Sequence, residues 1–104
     1  MTQATVVSIH REKYDVYIGR AGRGEDGYFG NPFRVGKDGN RAEAIQKFRT
    51  YFDARIVNDL EYKRRVLDLR GKRLGCFCKP QPCHGDVIAE WLESKSQGEE
   101  HDHK

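Results

Sequence analysis

The chain has 104 residues, of which 37% are hydrophobic and 34% are charged, and it carries a net charge of +3. That length suits one domain with one core, and an aromatic content of 11% is too high for a disordered chain. No apolar run approaches the roughly 20 residues that cross a bilayer, and residues 1–8 lack a signal-peptide pattern. The sequence therefore predicts a cytoplasmic protein with no membrane partner. The mild charge does not by itself predict nucleic-acid binding.

Three strands are predicted, at residues 5–9, 15–18 and 72–78, where β-branched and aromatic runs are bounded by polar residues. The third is expected to be the central strand. Between the second and third strands, residues 19–39 form an irregular segment with seven glycines. Loops of that length inside a small domain are usually functional.

The helices are predicted from their caps and apolar periodicity. Asn40 begins a capping-box pattern that predicts a helix over residues 41–57, Asp59 caps a second helix, and a last helix is expected at residues 86–94. Strands that alternate with helices indicate a small single α/β domain with a parallel or mixed central sheet flanked by about three helices. The domain is predicted to cover residues 1–96, followed by a polar disordered tail over residues 97–104.

Residues 19–33, here called the glycine-arginine loop, combine glycines, guanidinium groups and aromatic rings after a strand. Arginine and backbone N–H groups bind phosphate and aromatic rings stack on bases, so the loop predicts a site for a nucleotide or related phosphorylated small molecule. A surface loop anchored by its aromatic residues is the alternative. The candidate ligand-binding residues are Gly19, Arg20, Arg23, Gly30, Asn31, Pro32 and Phe33. His10, at the end of the first strand, could join the site or cap the sheet, and the second role is favoured.

Residues 76–86, here called the cysteine-histidine segment, contain all three cysteines in the pattern C-x-C-x4-C-H. An odd number of closely spaced cysteines indicates reduced thiols rather than a disulfide framework. One interpretation is a zinc site, because three thiolates and an imidazole complete a tetrahedral ligand set, although structural zinc sites usually join two separated ligand pairs. The candidate metal ligands are Cys76, Cys78, Cys83 and His84.

A second interpretation places an active site at the start of the last helix, where the helix dipole lowers a thiol pKa and N–H groups bind anions. Cys83 would be a nucleophile or His84 a general acid-base, with Asp86 orienting the imidazole. Alternatively, Cys76 and Cys78 are small core residues without chemistry. Ligands of parallel sheets bind at the carboxyl ends of the strands, so this segment and the glycine-arginine loop are expected to meet at one edge of the sheet.

Five motifs together closely resemble domain-of-unknown-function family 4326. They are Val16-Tyr17-Ile18-Gly19-Arg20, Gly30-Asn31-Pro32-Phe33, Arg70-Gly71-Lys72, Leu74-Gly75-Cys76-Phe77-Cys78 and Pro82-Cys83-His84-Gly85-Asp86. The resemblance covers residues 5–92 and implies a protein of bacteria or their phages, with no established activity. A fainter similarity links the Cys-His helix start to domain-of-unknown-function family 488. In that family an arginine follows the pair where this chain has Gly85, and Arg20 or Arg23 would have to replace it.

Three functional hypotheses stay open at this point. The first is a nucleotide-binding domain that acts on its ligand through Cys83 and His84 as an enzyme of nucleotide or nucleic-acid metabolism. The second is a zinc-stabilised module that binds nucleic acid or protein through a basic face at residues 63–73. The third is a phage or host interaction protein without chemistry.

Overall fold

In a computed structural model, the described part of the chain is residues 4–22, 24–77, 79 and 81–102, with side chains described to residue 95. Within it, helices pack on a three-stranded sheet, and the prediction of a small α/β domain is confirmed. The elements in chain order are β1 (Thr5–Ser8), β2 (Val16–Tyr17), α1 (Arg41–Asn58), α2 (Leu60–Leu67), β3 (Arg73–Cys76) and α3 (Gly85–Asp102). None of these helices combines the length and apolar character needed to cross a membrane.

The strand order is β1-β3-β2, and both outer strands run parallel to β3. Ser8 of β1 lies opposite Cys76, and Tyr17 of β2 lies opposite Gly75. The prediction that the third strand is central is therefore confirmed. Because all three strands point the same way, the segments that follow them begin at the same edge of the sheet.

The connection between β1 and β2 passes over the central strand at a glycine. It has only seven residues, 9–15, whereas a parallel crossover usually needs a dozen or more. A Cβ atom on Gly75 would lie 2.6 Å from the ring of Tyr14 and 2.9 Å from Ile9 Cγ2. Asp15 N–H donates to Arg73 O at 2.8 Å, and the Asp15 carboxylate accepts from Arg73 N–H at 2.8 Å. The missing side chain at Gly75 thus lets a short connection cross β3.

Both predicted helix caps are present. Asn40 Oδ1 accepts from Glu43 N–H and Glu43 Oε1 accepts from Asn40 N–H, each at 2.8 Å, which is a complete capping box. Asp59 Oδ1 accepts from Tyr62 N–H at 3.0 Å and begins α2. These contacts fix where α1 and α2 start. The buried residues of α1 are Ala44, Phe48, Phe52 and Ile56. Three of them, Phe48, Phe52 and Ile56, share one hydrophobic core with Leu74 and Cys76 of β3.

The last helix is longer than the sequence predicts. It begins at Gly85 and continues to Asp102, through most of the segment predicted to be a disordered tail. Gln97, Glu99 and Glu100 in that segment have high helix propensity and are compatible with this extension. The amino-terminal half of α3 packs in the core through Val87, Ile88 and Leu92, so the helix start is held firmly beside the sheet.

Candidate functional site

A cavity of about 520 Å³ lies at the carboxyl edge of the sheet, and we call it the sheet-edge cavity. Its walls come from residues that follow each strand, from the first turns of α1 and from the start of α3. The predicted site residues that line it are Gly19, Arg20, Asn31, Phe33, Cys76, Cys83 and His84. The glycine-arginine loop and the cysteine-histidine segment therefore meet around one cavity.

Arg20 shapes the glycine-arginine loop as well as facing the cavity. Its guanidinium group donates to Asn31 O at 3.0 Å and to Phe33 O at 3.2 Å. Asn31 Oδ1 accepts from Phe33 N–H at 2.9 Å, and Asn31 Nδ2 donates to Ala44 O of α1 at 3.4 Å. These bonds hold residues 31–33 in one conformation against α1, so the rigid element predicted from the Asn-Pro-Phe sequence has a defined set of partners.

Gly30 is the point at which the two ends of this loop touch. A Cβ atom there would lie 2.8 Å from Gly19 O and 3.3 Å from Arg20 Cα, so only glycine allows the backbones to approach this closely. Gly30 and Pro32 border a second, neighbouring cavity rather than the sheet-edge cavity. Arg23 lies outside the described residues.

The side chains of Cys76, Cys83 and His84 form a compact buried cluster. Their possible ligand atoms all lie within 4.8 Å of one another, and the three residues are 2%, 2% and 6% exposed. Cys76 is the last residue of β3, and Cys83 and His84 directly precede α3. Cys78, the fourth candidate metal ligand, lies outside the described residues. Three of the four predicted ligands are thus brought together.

Hydrogen bonding makes Cys83 an acidic thiol. A hydrogen bond from the Cys76 thiol lowers the pKa of Cys83 to about 7, against burial, which raises it, and the Gly85 N–H adds to the lowering. The effect of Gly85 is that expected where helix-terminal N–H groups face a sulfur. A pKa near 7 gives a substantial thiolate fraction at neutral pH, so Cys83 is suited to act as a nucleophile or a metal ligand.

His84 is held as a neutral imidazole of defined tautomer. Burial lowers the pKa of His84 below its usual range, and contacts with the backbone of Ile18 and Phe29 act in the opposite direction. Its Nε2 lies 2.8 Å from Ile18 O, and a carbonyl oxygen can only accept, so Nε2 carries the proton and Nδ1 is the basic nitrogen. The ring also packs edge-on against Phe48 at a centroid distance of 5.0 Å.

Asp86 binds groups other than the imidazole. Its carboxylate accepts from Lys79 Nζ at 2.6 Å and from Cys83 N–H at 3.1 Å, whereas the described partner of His84 Nε2 is Ile18 O. The orienting function that the sequence suggests for Asp86 is therefore performed at Nε2 by a backbone carbonyl. Asp86 instead fixes the backbone of Cys83 at the start of α3.

Gly85 has a packing reason to be glycine. A Cβ atom there would lie 2.6 Å from Ile18 Cδ1 and 3.3 Å from Cys83 Sγ. A side chain at this position, such as the arginine in the similar segment of family 488, would push α3 away from Ile18, which directly follows β2. Arg20, which the sequence suggests as a replacement, does line the same cavity.

Several residues of the sheet-edge cavity are not apparent from the sequence. His10 lines the cavity, with its ring 5.3 Å from that of Phe77, and so has a position in the site as well as at the end of the sheet. Tyr17 and Arg41 also line it, and Arg41 Nη1 donates to Pro82 O at 3.3 Å. Position in the sequence is the signal that could have identified these residues. His10 and Tyr17 are at the ends of predicted strands, and Arg41 is the first residue of a helix whose start faces the same edge.

The fold and the site together define a small parallel α/β domain with a cavity at the carboxyl edge of its sheet and a buried thiol-imidazole cluster in the cavity wall. The chain belongs to the DUF4326 family, described as a domain of unknown function, whose model matches residues 4–94. It is 45% identical over 85 residues to an uncharacterised 12.4 kDa protein from the nrdA-td intergenic region of Enterobacteria phage T4, a match that covers 81% of this chain and 72% of the relative. No solved structure matches the chain. The resemblance to family 4326 is confirmed.

Proposed function

We propose that the domain binds a nucleotide or a related phosphorylated small molecule in the sheet-edge cavity. The observation that carries the proposal is the meeting of the glycine-arginine loop and the cysteine-histidine segment around one cavity of about 520 Å³. That volume is in the usual range for small-molecule sites, and the carboxyl edge of a parallel sheet is where such sites occur.

The walls of the cavity have the chemistry that a nucleotide needs. Arg20 and Arg41 supply two guanidinium groups, while Glu25 is the single carboxylate among the described lining residues. Guanidinium groups bind phosphate through paired N–H donors. Tyr17 and Phe33 add aromatic surface on which a base can stack. The cavity thus offers cationic groups for phosphate and aromatic surface for a base within one space.

The test is thermal unfolding of the purified protein with a panel of nucleoside mono-, di- and triphosphates. A ligand that binds the folded state raises the unfolding temperature. We expect at least one nucleotide to do so, and Arg41→Gln to reduce the shift. Arg49→Gln is the matched control, because Arg49 lies on the same helix and pairs with Glu90 outside the cavity. A panel without any shift, or equal shifts in both variants, contradicts the proposal.

We further propose that Cys83 is the reactive group of the site. The thiol lines the cavity, its pKa is lowered to about 7, and Asp86 fixes its backbone. A bound ligand should therefore cover the sulfur. The check is alkylation of Cys83 by iodoacetamide, located by peptide mass spectrometry, with and without a nucleotide that raises the unfolding temperature. We expect protection by the ligand, and an unchanged rate would remove Cys83 from the ligand site.

A structural zinc site is the second candidate, favoured by the clustering of Cys76, Cys83 and His84 donor atoms within 4.8 Å. Tetrahedral zinc-thiolate geometry places two sulfur ligands about 3.8 Å apart, so small adjustments would suffice. With Nε2 of His84 donating to Ile18 O, Nδ1 is the nitrogen that would bind the ion, and a backbone carbonyl behind the imidazole is a common outer partner in such sites.

Zinc content of the purified protein decides between the candidates. The measurement uses the full chain with His101→Ala and His103→Ala, because a His-Asp-His sequence near the end of the chain can bind metal independently. A zinc site predicts about one ion per chain, its loss in Cys76→Ser, and unfolding by a chelator. Protein that is folded and free of zinc excludes this candidate and leaves Cys83 available for a ligand.

A further inference from the structure

A second cavity of about 520 Å³ adjoins the sheet-edge cavity, and we call it the arginine shelf. Arg20, Ala21 and Asn31 line both cavities, so the two spaces meet along this wall. The remaining lining residues of the shelf are Gly27, Tyr28, Gly30, Pro32, Arg34, Tyr51 and Arg55. The proposed ligand site therefore has a neighbouring space of equal volume.

The shelf is positively charged. Among the described residues it is lined by the guanidinium groups of Arg20, Arg34 and Arg55 and by no carboxylate. Arg55 is partly neutralised by Asp59, whose Oδ2 lies 3.2 Å from Arg55 Nε, but Asp59 itself does not line the space. Arg34 is exposed, and no side-chain ion pair is described for it. The shelf therefore has the positive charge that a phosphate-binding site needs.

Aromatic rings hold the guanidinium group of Arg55 in place. The Arg55 guanidinium lies 4.1 Å from the ring centroid of Tyr62 and 5.3 Å from that of Tyr28, and Arg55 Nη1 donates to Tyr51 Oη at 2.7 Å. Arg65 covers Tyr28 at 4.4 Å and pairs with Glu61 at 3.0 Å. The contacts of Arg55 fix the position of its charge before any ligand arrives, which reduces the entropy cost of binding.

The size of the two cavities together and the solvent exposure of the shelf indicate a polymeric ligand. A single nucleotide is accommodated by the sheet-edge cavity alone, whereas the continuous wall through Arg20 leads to a second set of guanidinium groups. Ala21, Pro32 and Arg34 are exposed, so a chain that leaves the cavity can continue across the shelf into solvent. A base inserted into the sheet-edge cavity must be unpaired, which favours a single strand over a duplex.

We propose that the ligand is single-stranded nucleic acid, with one nucleotide in the sheet-edge cavity and the adjoining phosphates on the arginine shelf. This inference rests on the proposed nucleotide binding and names the form of the ligand. Arg20 is the charged residue that lines both cavities. Arg34 binds the phosphate backbone only, since it lines the shelf and not the sheet-edge cavity.

The test is fluorescence anisotropy with a labelled random-sequence strand of ten nucleotides, made once as DNA and once as RNA. An equimolar mixture of the mononucleotides is added as competitor, and its affinity is compared with that of the strand. The strand should bind more tightly than the mononucleotides. Arg34→Gln should weaken strand binding about three- to tenfold. The slope of log affinity against log salt should fall by the amount expected for the loss of about one phosphate contact. Mononucleotide binding should be unchanged. Arg64→Gln is the matched control, because Arg64 lies in the basic segment of α2 and lines neither cavity.

The outcomes separate this inference from the proposed function. If mononucleotides bind and the strand binds no more tightly, or if Arg34→Gln has no effect on the strand, the inference is wrong and the nucleotide site stands. If Arg64→Gln weakens strand binding and Arg34→Gln does not, the basic face at residues 63–73 is the binding surface instead. If neither mononucleotides nor strands bind, the proposed function fails together with the inference.

Discussion

At Cys83, hydrogen bonding and burial have opposite effects on the pKa of the thiol. The Cys76 thiol and the Gly85 N–H stabilise the thiolate, and together they outweigh the cost of burying a charge. The alkylation rate of Cys83 by iodoacetamide should therefore rise with pH around a midpoint of about 7. Cys76→Ala should move that midpoint upward, because alanine has no group that can donate a hydrogen bond to the Cys83 sulfur. Peptide mass spectrometry follows Cys83 separately from the other cysteines.

The same experiment has a clear negative result. A midpoint near the ordinary thiol range in the wild-type protein would show that the Cys76 hydrogen bond does not act as described. A Cys76→Ala protein with the wild-type midpoint would show that the Gly85 N–H alone is sufficient. Either result removes the thiol pair, but not the cavity, from the description of the site.

At His84, burial favours the neutral ring, and this makes folding sensitive to acid. The folded-state pKa is lowered, so the unfolded chain binds a proton more readily as the pH falls below about 6.5. His84 thus lowers the free energy of unfolding as the pH falls through and below that value. In His84→Gln, urea unfolding at pH 7.5 and pH 5.5 should give a smaller loss of stability on acidification than in the wild type.

His10→Gln is the control for this prediction. His10 borders the same cavity but is exposed, so a change seen in His84→Gln and not in His10→Gln belongs to the buried imidazole. An equal loss in wild-type and His84→Gln proteins would mean that the imidazole of His84 is not held in its neutral form by the fold.

At the level of elements, the glycine-arginine loop depends on the close approach at Gly30. In Gly30→Ala the new methyl group meets the backbone atoms Gly19 O and Arg20 Cα, which cannot rotate away, so the loop must open. We expect a loss of about 1–3 kcal/mol in the free energy of unfolding, the usual range for overpacking. Gly75→Ala is the comparison, because its methyl group meets the ring of the half-exposed Tyr14, which is able to move.

Chemical denaturation of both variants tests whether Gly30→Ala loses more stability than Gly75→Ala. A larger loss in Gly30→Ala than in Gly75→Ala agrees with a rigid backbone contact at the loop. The reverse order would mean that the loop adapts easily and that the crossing of β3 by residues 9–15 is the tighter contact.

Features of the helices that depend only on residues close in the sequence could be predicted from the sequence. The caps Asn40 and Asp59 act on N–H groups three residues away, and both are where the sequence places them. Burial along α2 could not be predicted in the same way, because it depends on packing between elements: Tyr62 is 1% exposed and Leu60 is 69% exposed. The aromatic cluster of Tyr28, Phe29 and Phe52 encloses Tyr62, and it forms only when the loop folds back on α1 and α2.

At the scale of the whole molecule, the meeting of the two segments follows from parallel strand order, and the sequence was sufficient to predict it. The contacts inside the site were not predictable in this way. Arg20 binds two loop carbonyls and Asp86 binds Lys79, and such pairings depend on loop conformations that no periodic pattern encodes. Arg41 joins the site because α1 begins beside the cavity, which depends on the complete fold.

The most direct test of the central claim is calorimetric titration of a nucleotide into wild-type protein and Ala21→Trp. Ala21 is exposed and lines both cavities, so a tryptophan there fills ligand space without disturbing the core. Ala42→Trp, on the exposed face of α1, controls for the added surface. We predict that Ala21→Trp remains folded and loses nucleotide binding while Ala42→Trp retains it. Unchanged nucleotide affinity in a folded Ala21→Trp protein would contradict binding in the sheet-edge cavity.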